Sequence, residues 1–270
     1  MIVLSRKQAD EIIAGKREIS LDLGISLSKI KAERGFVFAG NEKFPLAEAK
    51  AMKDNFVYFV EDNKLKKVEL FYDVTNRYYK LTPTLDWPTF MISSVPMHRF
   101  IHLSPKEDTV SKIKEIHPVK GIILDTCCGL GYTAIMSSKT ADEVHTFERD
   151  KAVLTIAKIN PYSRELFESK KIKIHTESVF EGIKQFKNSF FDRIIHDPPT
   201  FKISPELYSK RFYEELFRVM KKEGTIYHYA PMPGKTKGSE FYHKIIRLLK
   251  ETGFKNIEYH LKSSGIRAVK

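Results

Sequence analysis

The feature that most constrains the fold is a regular alternation of short apolar segments with longer amphipathic segments, from residue 121 to the end of the chain. The apolar segments predict strands at Gly121–Asp125, Glu143–Glu148, Lys171–His175, Arg193–His196 and Gly224–Tyr229. The segments between and after them predict helices at Thr133–Ser138, Asp150–Ile159, Glu181–Phe186, Pro205–Met220 and Ser239–Thr252. Asn256–Lys262 and Gly265–Val269 predict a terminal hairpin. Because strands that alternate with helices form parallel sheets covered on both faces, we expect a seven-stranded α/β domain over residues 101–270.

Residues 1–100 have a different pattern, with short alternating segments separated by turn residues, and they predict a small β-rich (α+β) domain. Residues 20–30 also have the spacing of a helix-turn-helix, which would make this region a DNA-binding module. The strict alternation of Ile19, Leu21 and Leu23 favours a strand there instead.

Composition argues against several classes of protein. No apolar run approaches the roughly 20 residues that a membrane span needs, and the first residues lack the order of a signal peptide, so we expect a soluble cytoplasmic protein. The two cysteines, Cys127 and Cys128, are adjacent, a spacing that suits neither a disulfide nor a zinc site. We therefore expect no metal.

The positive charge is unevenly distributed. Of the net charge of +12, residues 1–118 carry +3 and residues 119–270 carry +9. One interpretation is a polyanionic partner such as RNA, to which a loop with Lys235 and Lys237 could contribute. The other is a lysine-rich surface exposed to solvent.

A glycine-rich turn follows the first predicted strand of the α/β domain, with the sequence LDTCCGLGYTA over residues 124–134. Gly129 and Gly131 allow the backbone to pass close to a ligand, and the helix that follows offers N–H groups to a ligand carboxylate. Asp125 can hold an ammonium group, and Glu148, at the end of the next strand, can accept hydrogen bonds from two ribose hydroxyls. Proteins that bind dinucleotides use the same arrangement, usually with a third glycine where this chain has Ala134. Because alanine is tolerated at that position, the number of glycines does not decide between a dinucleotide and a ligand that carries an amino acid group and a ribose.

The fourth predicted strand ends in His196-Asp197-Pro198-Pro199, an element that a dehydrogenase does not need. The paired prolines stiffen the turn, and Asp197 with the Pro198 carbonyl can accept hydrogen bonds from an amine. Catalysis would then consist mainly of positioning the nitrogen lone pair. We expect His196 to point the opposite way and to be a buried structural residue.

These two motifs together resemble class I S-adenosylmethionine-dependent methyltransferases, and more closely an archaeal group of predicted methyltransferases. The resemblance implies a Rossmann-like domain, S-adenosylmethionine as cofactor and methyl transfer to a nitrogen positioned by Asp197, Pro198 and Pro199. It implies cofactor contacts at Asp125, Cys127, Gly129, Gly131, Tyr132, Glu148, Glu177 and Ser178. The helix before the first strand adds weaker candidates at Ser104, Pro105 and Asp108.

The acceptor is less constrained by the sequence. Amino-methylating families usually have an aromatic residue directly after Pro-Pro, where this chain has Thr200 followed by Phe201. His98 and Arg99 are candidate substrate contacts, with a structural salt bridge of Arg99 as the alternative. Methylation at pyrimidine C5 is disfavoured, because it usually needs a thiolate near the substrate and both thiols fall in the cofactor loop.

Three hypotheses follow. The first is an N-methyltransferase that prefers RNA. The second is a methyl- or aminopropyltransferase that acts on a small amine, although no acidic cluster for such an amine is apparent in the sequence. The third is a non-enzymatic nucleic-acid-binding protein with a cofactor-sensing domain, against which the retained Asp-Pro-Pro motif argues.

Overall fold

The computed structural model describes residues 1–231 and 239–270. By their contacts the described residues form two compact units, Met1–Lys106 with Ala152–Arg164 and Glu107–Lys151 with Glu165–Lys270. The boundary expected at residue 100 stays a prediction. The loop with Lys235 and Lys237 lies outside the described residues.

Short strands dominate residues 1–106 of the first unit. They are β1 (Val3–Leu4), β2 (Glu18–Ile19), β3 (Ser28–Lys29), β4 (Lys31–Glu33), β5 (Phe36–Ala39), β6 (Glu42–Pro45), β7 (Tyr58–Glu61), β8 (Lys64–Lys67), β9 (Glu69–Tyr72), β10 (Arg77–Thr82), β11 (Thr89–Ile92) and β12 (Val95–Pro96). Their sheets have the orders β1-β7-β8, β2-β3, β4-β5-β6 and β12-β11-β10-β9. Helices α1 (Arg6–Ile13) and α2 (Leu46–Lys50) pack with the buried side chains of Leu4, Val37 and Phe44.

Residues 20–30 contradict the helix-turn-helix interpretation. In this described stretch β2 pairs with β3 in antiparallel fashion and no helix is present. The strand predicted through Leu23 ends early, because Asp22 forms a side-chain turn in which its Oδ1 accepts the N–H groups of Ile25 and Ser26 at 3.1 and 2.9 Å. The helix-turn-helix that this spacing allowed is therefore wrong, and the strand that the alternation favoured is present at Glu18–Ile19.

The second unit contains a sheet of seven described strands. They are β13 (Ile122–Asp125), β14 (Glu143–Phe147), β15 (Ile172–His175), β16 (Phe191–His196), β17 (Met220–Tyr229), β18 (Lys255–His260) and β19 (Gly265–Val269). Their order is β15-β14-β13-β16-β17-β19-β18. Strands β13 to β17 are parallel, whereas β19 pairs antiparallel with both β17 and β18. The predicted α/β sheet and its terminal hairpin are confirmed.

The helices that follow in the chain are α3 (Pro105–Glu115), α4 (Tyr132–Ser138), α5 (Lys151–Ile159), α6 (Arg164–Glu168), α7 (Val179–Gly182), α8 (Lys210–Val219) and α9 (Ser239–Thr252). Helix α5 belongs to the first unit, except for its first residue, Lys151. The helix predicted at Pro205–Met220 divides in two, because Ser209 is extended and caps α8 by accepting the N–H of Phe212 at 3.2 Å. A short 3₁₀ turn, Pro205–Tyr208, precedes it.

The core of the second unit follows from the apolar runs of the central strands and the apolar faces of α8 and α9. Ile194, Ile226, Phe212 and Leu249 are buried in one cluster. Within the described residues, none of the helices combines the length and the apolar character needed to cross a membrane.

Candidate active site

The carboxyl ends of the parallel strands lie at one edge of the sheet, which is where α/β folds place their ligands. Asp125 is the last residue of β13, and Glu148 comes directly after β14. Asp197 comes directly after β16, whose Ile195 lies beside Asp125 in register. Three carboxylates that are far apart in the sequence therefore lie at the same edge.

Asp125 is completely buried. Its Oδ2 accepts a hydrogen bond from the Thr146 hydroxyl at 2.8 Å, whereas no described group meets hydrogen-bond geometry at its Oδ1. The Thr133 side chain interacts with the carboxylate more weakly than Thr146 and also lowers its pKa. Burial raises the pKa of Asp125 to about 7, and the negative charges of Asp197 and Glu148 add to the effect. A cation near Oδ1 would satisfy this oxygen and relieve the repulsion.

The glycine-rich turn connects β13 to α4 and brings Glu148 against the backbone. Gly129 and Gly131 have φ values of +55° and +80°, the left-handed region in which glycine is favoured. The Gly129 N–H donates to Glu148 Oε2 at 3.0 Å, and the Asp150 N–H donates to Oε1 at 3.0 Å. Burial raises the pKa of Glu148 to about 7 despite these two bonds. Each carboxylate oxygen keeps a second lone pair, so Glu148 can still accept from ribose hydroxyls.

Lys112 on α3 connects Asp197 with Asp108. Its Nζ lies 2.6 Å from Asp197 Oδ2 and 2.7 Å from Asp108 Oδ2. The exposed fractions of the side chains are 4% for Lys112, 0% for Asp108 and 20% for Asp197. Burial alone would lower the pKa of Lys112, but the charges of Asp197 and Asp108 outweigh it and raise this pKa above its usual value. Lys112 is therefore an ammonium held between two carboxylates.

Tyr208 holds the Pro198-Pro199 turn, because its hydroxyl donates a hydrogen bond to the Pro199 carbonyl at 2.8 Å. His196 is fully buried, and its Nδ1 and Nε2 lie 2.8 Å from the Thr126 hydroxyl and 3.1 Å from the Leu207 carbonyl. Burial lowers the pKa of His196, so this residue is neutral and structural, as its place before Asp197 predicts.

The structure corrects the expectation that the chain has no acidic cluster. Asp108, Asp125, Glu148 and Asp197 come together in the second unit, with Lys112 as their counter-ion. Asp108 and Lys112 are one helical turn apart, a spacing that could have indicated a shared role, but the pairing with Asp197 spans 85 residues. Among the described residues no group of His, Cys, Asp or Glu side chains has an arrangement that could hold a metal ion.

Comparison with known proteins identifies the family of the chain. Residues 108–261, more than half of the chain, match the family model described as the spermine/spermidine synthase domain. The chain belongs to this family. An uncharacterized protein of Methanocaldococcus jannaschii is 38% identical over 281 residues, covering 100% of this chain and 96% of that protein. The narrower resemblance to the archaeal group of predicted methyltransferases stays a prediction.

Solved members of the synthase family share the fold. A spermidine synthase in complex with the transition-state analogue AdoDATO is 17% identical, with a TM-score of 0.57, covering 72% of this chain and 69% of that one. The spermidine synthase of Thermotoga maritima is 17% identical, with a TM-score of 0.55, covering 74% of this chain and 70% of that one. At this level of identity the two structures establish the mixed α/β fold with its central parallel sheet.

The other predicted cofactor residues are placed around the same edge of this family's sheet. Cys127 is half-buried in the glycine-rich turn, and burial raises the pKa of its thiol, so it is not a thiolate. Tyr132 is buried in α4. Glu177 is exposed after β15, where its Oε1 accepts from Gln185 Nε2 at 3.3 Å, and Ser178 precedes α7. Their part in binding a cofactor stays a prediction.

The predicted substrate residues fall in both units. Thr200 is exposed beyond the Pro-Pro turn, and Phe201 packs its ring 5.8 Å from that of Tyr208. His98 and Arg99 belong to the first unit, where His98 Nδ1 lies 3.0 Å from the Thr89 hydroxyl. Contact of these four residues with a substrate stays a prediction.

Proposed function

We propose that this protein transfers an aminopropyl group from the decarboxylated relative of S-adenosylmethionine to the nitrogen of a small amine. The observation that carries the proposal is the anionic cluster of Asp125, Glu148 and Asp197 at the carboxyl edge of a synthase-family sheet. The donor and the acceptor are both cations, and a cluster of carboxylates attracts both of them electrostatically.

On the donor side, the residues present fit an adenosyl sulfonium. The buried Oδ1 of Asp125 can accept from the donor's ammonium. Glu148 can accept from the ribose hydroxyls, and the left-handed glycines of the turn leave room for the close approach of a ligand. The bound donor supplies an activated carbon next to a positively charged sulfur, whose bond breaks with its electron pair as the new C–N bond forms.

On the acceptor side, Asp197 is a partly exposed carboxylate of the cluster, and it accepts from an amine at the end of β16. The Pro198-Pro199 turn, held by Tyr208, fixes the direction of approach. The acceptor nitrogen attacks as a neutral amine and becomes positively charged as the C–N bond forms. It then loses one proton, which the Asp197 carboxylate can take up, and until then this anion stabilises the positive charge.

The charges favour a donor without a carboxylate. The pKa of Asp125 is raised by burial and by two negative neighbours, and a further carboxylate beside them would add to the repulsion. Methyl transfer from S-adenosylmethionine itself is the second candidate, supported by the Asp-Pro-Pro motif after β16. An RNA acceptor rests on the net charge of residues 119–270 and is kept as a third outcome of the test.

The test is to incubate the protein with each donor and a panel of linear diamines, and separately with total RNA, and to identify products by mass spectrometry. We expect an aminopropylated amine. Asp197→Asn should lower kcat by about 100-fold with donor affinity changed less than about threefold, because it removes an acceptor contact and not a donor contact. Asp142→Asn, the same change at an exposed position of the second unit, is the matched control.

Other outcomes decide between the candidates. Product from S-adenosylmethionine alone would establish methyl transfer, and label in RNA alone would establish an RNA substrate. Full activity of Asp197→Asn would refute the role of this carboxylate.

A further inference from the structure

A buried ion triad lies beside the proposed acceptor position, formed by Asp108, Lys112 and Asp197. Asp108 and Lys112 face the same way from successive turns of α3 and are both almost completely buried. Lysine is rarely buried to this extent, and removing an ammonium from water is costly unless charged partners compensate. A lysine that the fold keeps at this place calls for a physical role.

Three neighbours surround the Lys112 ammonium. Its Nζ lies 2.6 Å from Asp197 Oδ2, 2.7 Å from Asp108 Oδ2 and 5.1 Å from the centroid of the Tyr229 ring, within cation–π distance. The side chain therefore has one preferred position, and the carboxylate of Asp197 is held in turn by its short contact with Nζ.

We propose that Lys112 is a positioning residue for the acceptor, whose ammonium orients the Asp197 carboxylate and sets the charge that an incoming amine meets. The inference rests on the proposed function. The charges of Asp108 and Lys112 cancel, so the triad presents one net negative charge, and that charge lies on its most exposed member, Asp197. An acceptor amine is thus matched to a single anion of fixed orientation.

The groups around Asp197 explain why this anion needs a counter-ion. The described groups that interact with its charge include Lys112 on α3, Asp125 at the end of β13, Cys127 in the glycine-rich turn and Tyr208. Asp108 and the Tyr229 ring also face Lys112. Asp108 and Asp125 are acids, and Lys112 supplies the positive charge. Without it, neighbouring carboxylates in a buried site cannot all remain ionised, and one of them takes up a proton.

A purely structural role for Lys112 makes a different prediction. A structural lysine would lower the thermal stability when replaced and, because it contacts Asp197, would also shift the titration of that carboxyl. It would leave the pH profile of kcat/KM for the amine where it is, so the acid limb of that profile separates the two roles.

The experiment compares Lys112→Met with the wild type in the full-length protein. The ¹³C signal of the Asp197 carboxyl, assigned by its absence in Asp197→Asn, is titrated in the resting protein. We expect its midpoint to rise by roughly one pH unit or more, because a positive charge in contact has been removed. The acid limb of kcat/KM for the amine should move to higher pH by a similar amount.

Three further variants make the result specific. Asp108→Asn with Lys112→Met removes one charge of each sign, so the midpoint should return towards the wild-type value. Lys112→Arg keeps the charge and should also stay near it. Lys114→Met, on the exposed side of the same helix, should change neither measurement. If Lys112→Met does not fold, Lys112→Gln, which removes the charge but keeps a hydrogen-bond donor, gives the same comparison.

An unchanged Asp197 midpoint in folded Lys112→Met would overturn the inference, as would an acid limb that does not move. The NMR titration needs no turnover. A shifted midpoint without transfer from any donor would therefore refute the proposed function while supporting the charge relation between Lys112 and Asp197.

Discussion

The raised pKa values of Asp125 and Glu148 lead to a quantitative prediction for donor binding. Each carboxylate has a pKa of about 7 in the resting protein and must be ionised to hold its part of the donor, Asp125 the ammonium and Glu148 the ribose. A group of this pKa is ionised to about one tenth at pH 6 and to about nine tenths at pH 8. Each group therefore contributes about tenfold to the change in affinity across this interval, and the two together about 100-fold.

Isothermal titration calorimetry with the decarboxylated donor between pH 6 and pH 8 measures this change directly. The sign is fixed by the raised pKa values: below pH 7 both groups are largely protonated, so the dissociation constant should fall as the pH rises. Asp125→Asn should bind more weakly at pH 8 and keep only the tenfold change that Glu148 contributes.

A neutral ligand separates the two carboxylates without mutation. The thioether nucleoside left after the transfer carries the ribose but no cation, so its affinity for the wild type should change only about tenfold between pH 6 and 8. An affinity for the decarboxylated donor that is independent of pH, or an equally steep change in Asp125→Asn, would refute the assignment of Asp125 to the ammonium.

Three other predictions follow from the geometry. Gly131→Ala should cost roughly 1–3 kcal/mol in the free energy of unfolding, measured by urea denaturation, because its Cβ would lie 2.6 Å from Leu166 Cδ2 at a φ of +80°. In a Leu166→Ala background the same substitution should cost less but still destabilise, and no cost there would show that the backbone is unstrained. Tyr208→Phe should lower kcat while leaving Tm nearly unchanged, since it frees the Pro199 carbonyl that the hydroxyl holds at 2.8 Å. An unchanged kcat would contradict the role of the turn. Asp125→Asn should raise Tm at pH 8 relative to the wild type but not at pH 4. The buried carboxyl has a pKa of about 7 in the folded protein, so folding favours its protonated form, and about 4 kcal/mol of stability is lost as the pH rises from about 4 to about 7. A Tm difference independent of pH would contradict this reasoning.

Local sequence determined most of the second unit. The strands β13 to β17 follow from short apolar runs, and the hairpin of β18 and β19 follows from two such runs around Ser263-Ser264. Parallel strands share a carboxyl edge, so the residues that end them, Asp125 and Asp197, could be assigned to one site from their positions alone. These features depend on neighbours a few residues apart, which is the range over which periodicity carries information.

The first unit shows where such local evidence fails. Residues 20–30 fit both a strand and a helix-turn-helix, and the outcome depended on the hydrogen bonds of the Asp22 side chain to the backbone that follows it. Periodicity does not contain these bonds, because a short polar side chain can accept from the backbone in several conformations.

The charge of the acceptor site was decided by tertiary structure. Net charge along the chain suggested a polyanionic substrate, whereas the folded site gathers carboxylates around a single lysine. The contact between Lys112 and Asp197 joins residues 85 positions apart, on a helix before the sheet and at the end of its fourth strand. Electrostatic interaction depends on distance in space and on burial, and neither is present in a linear count of charges.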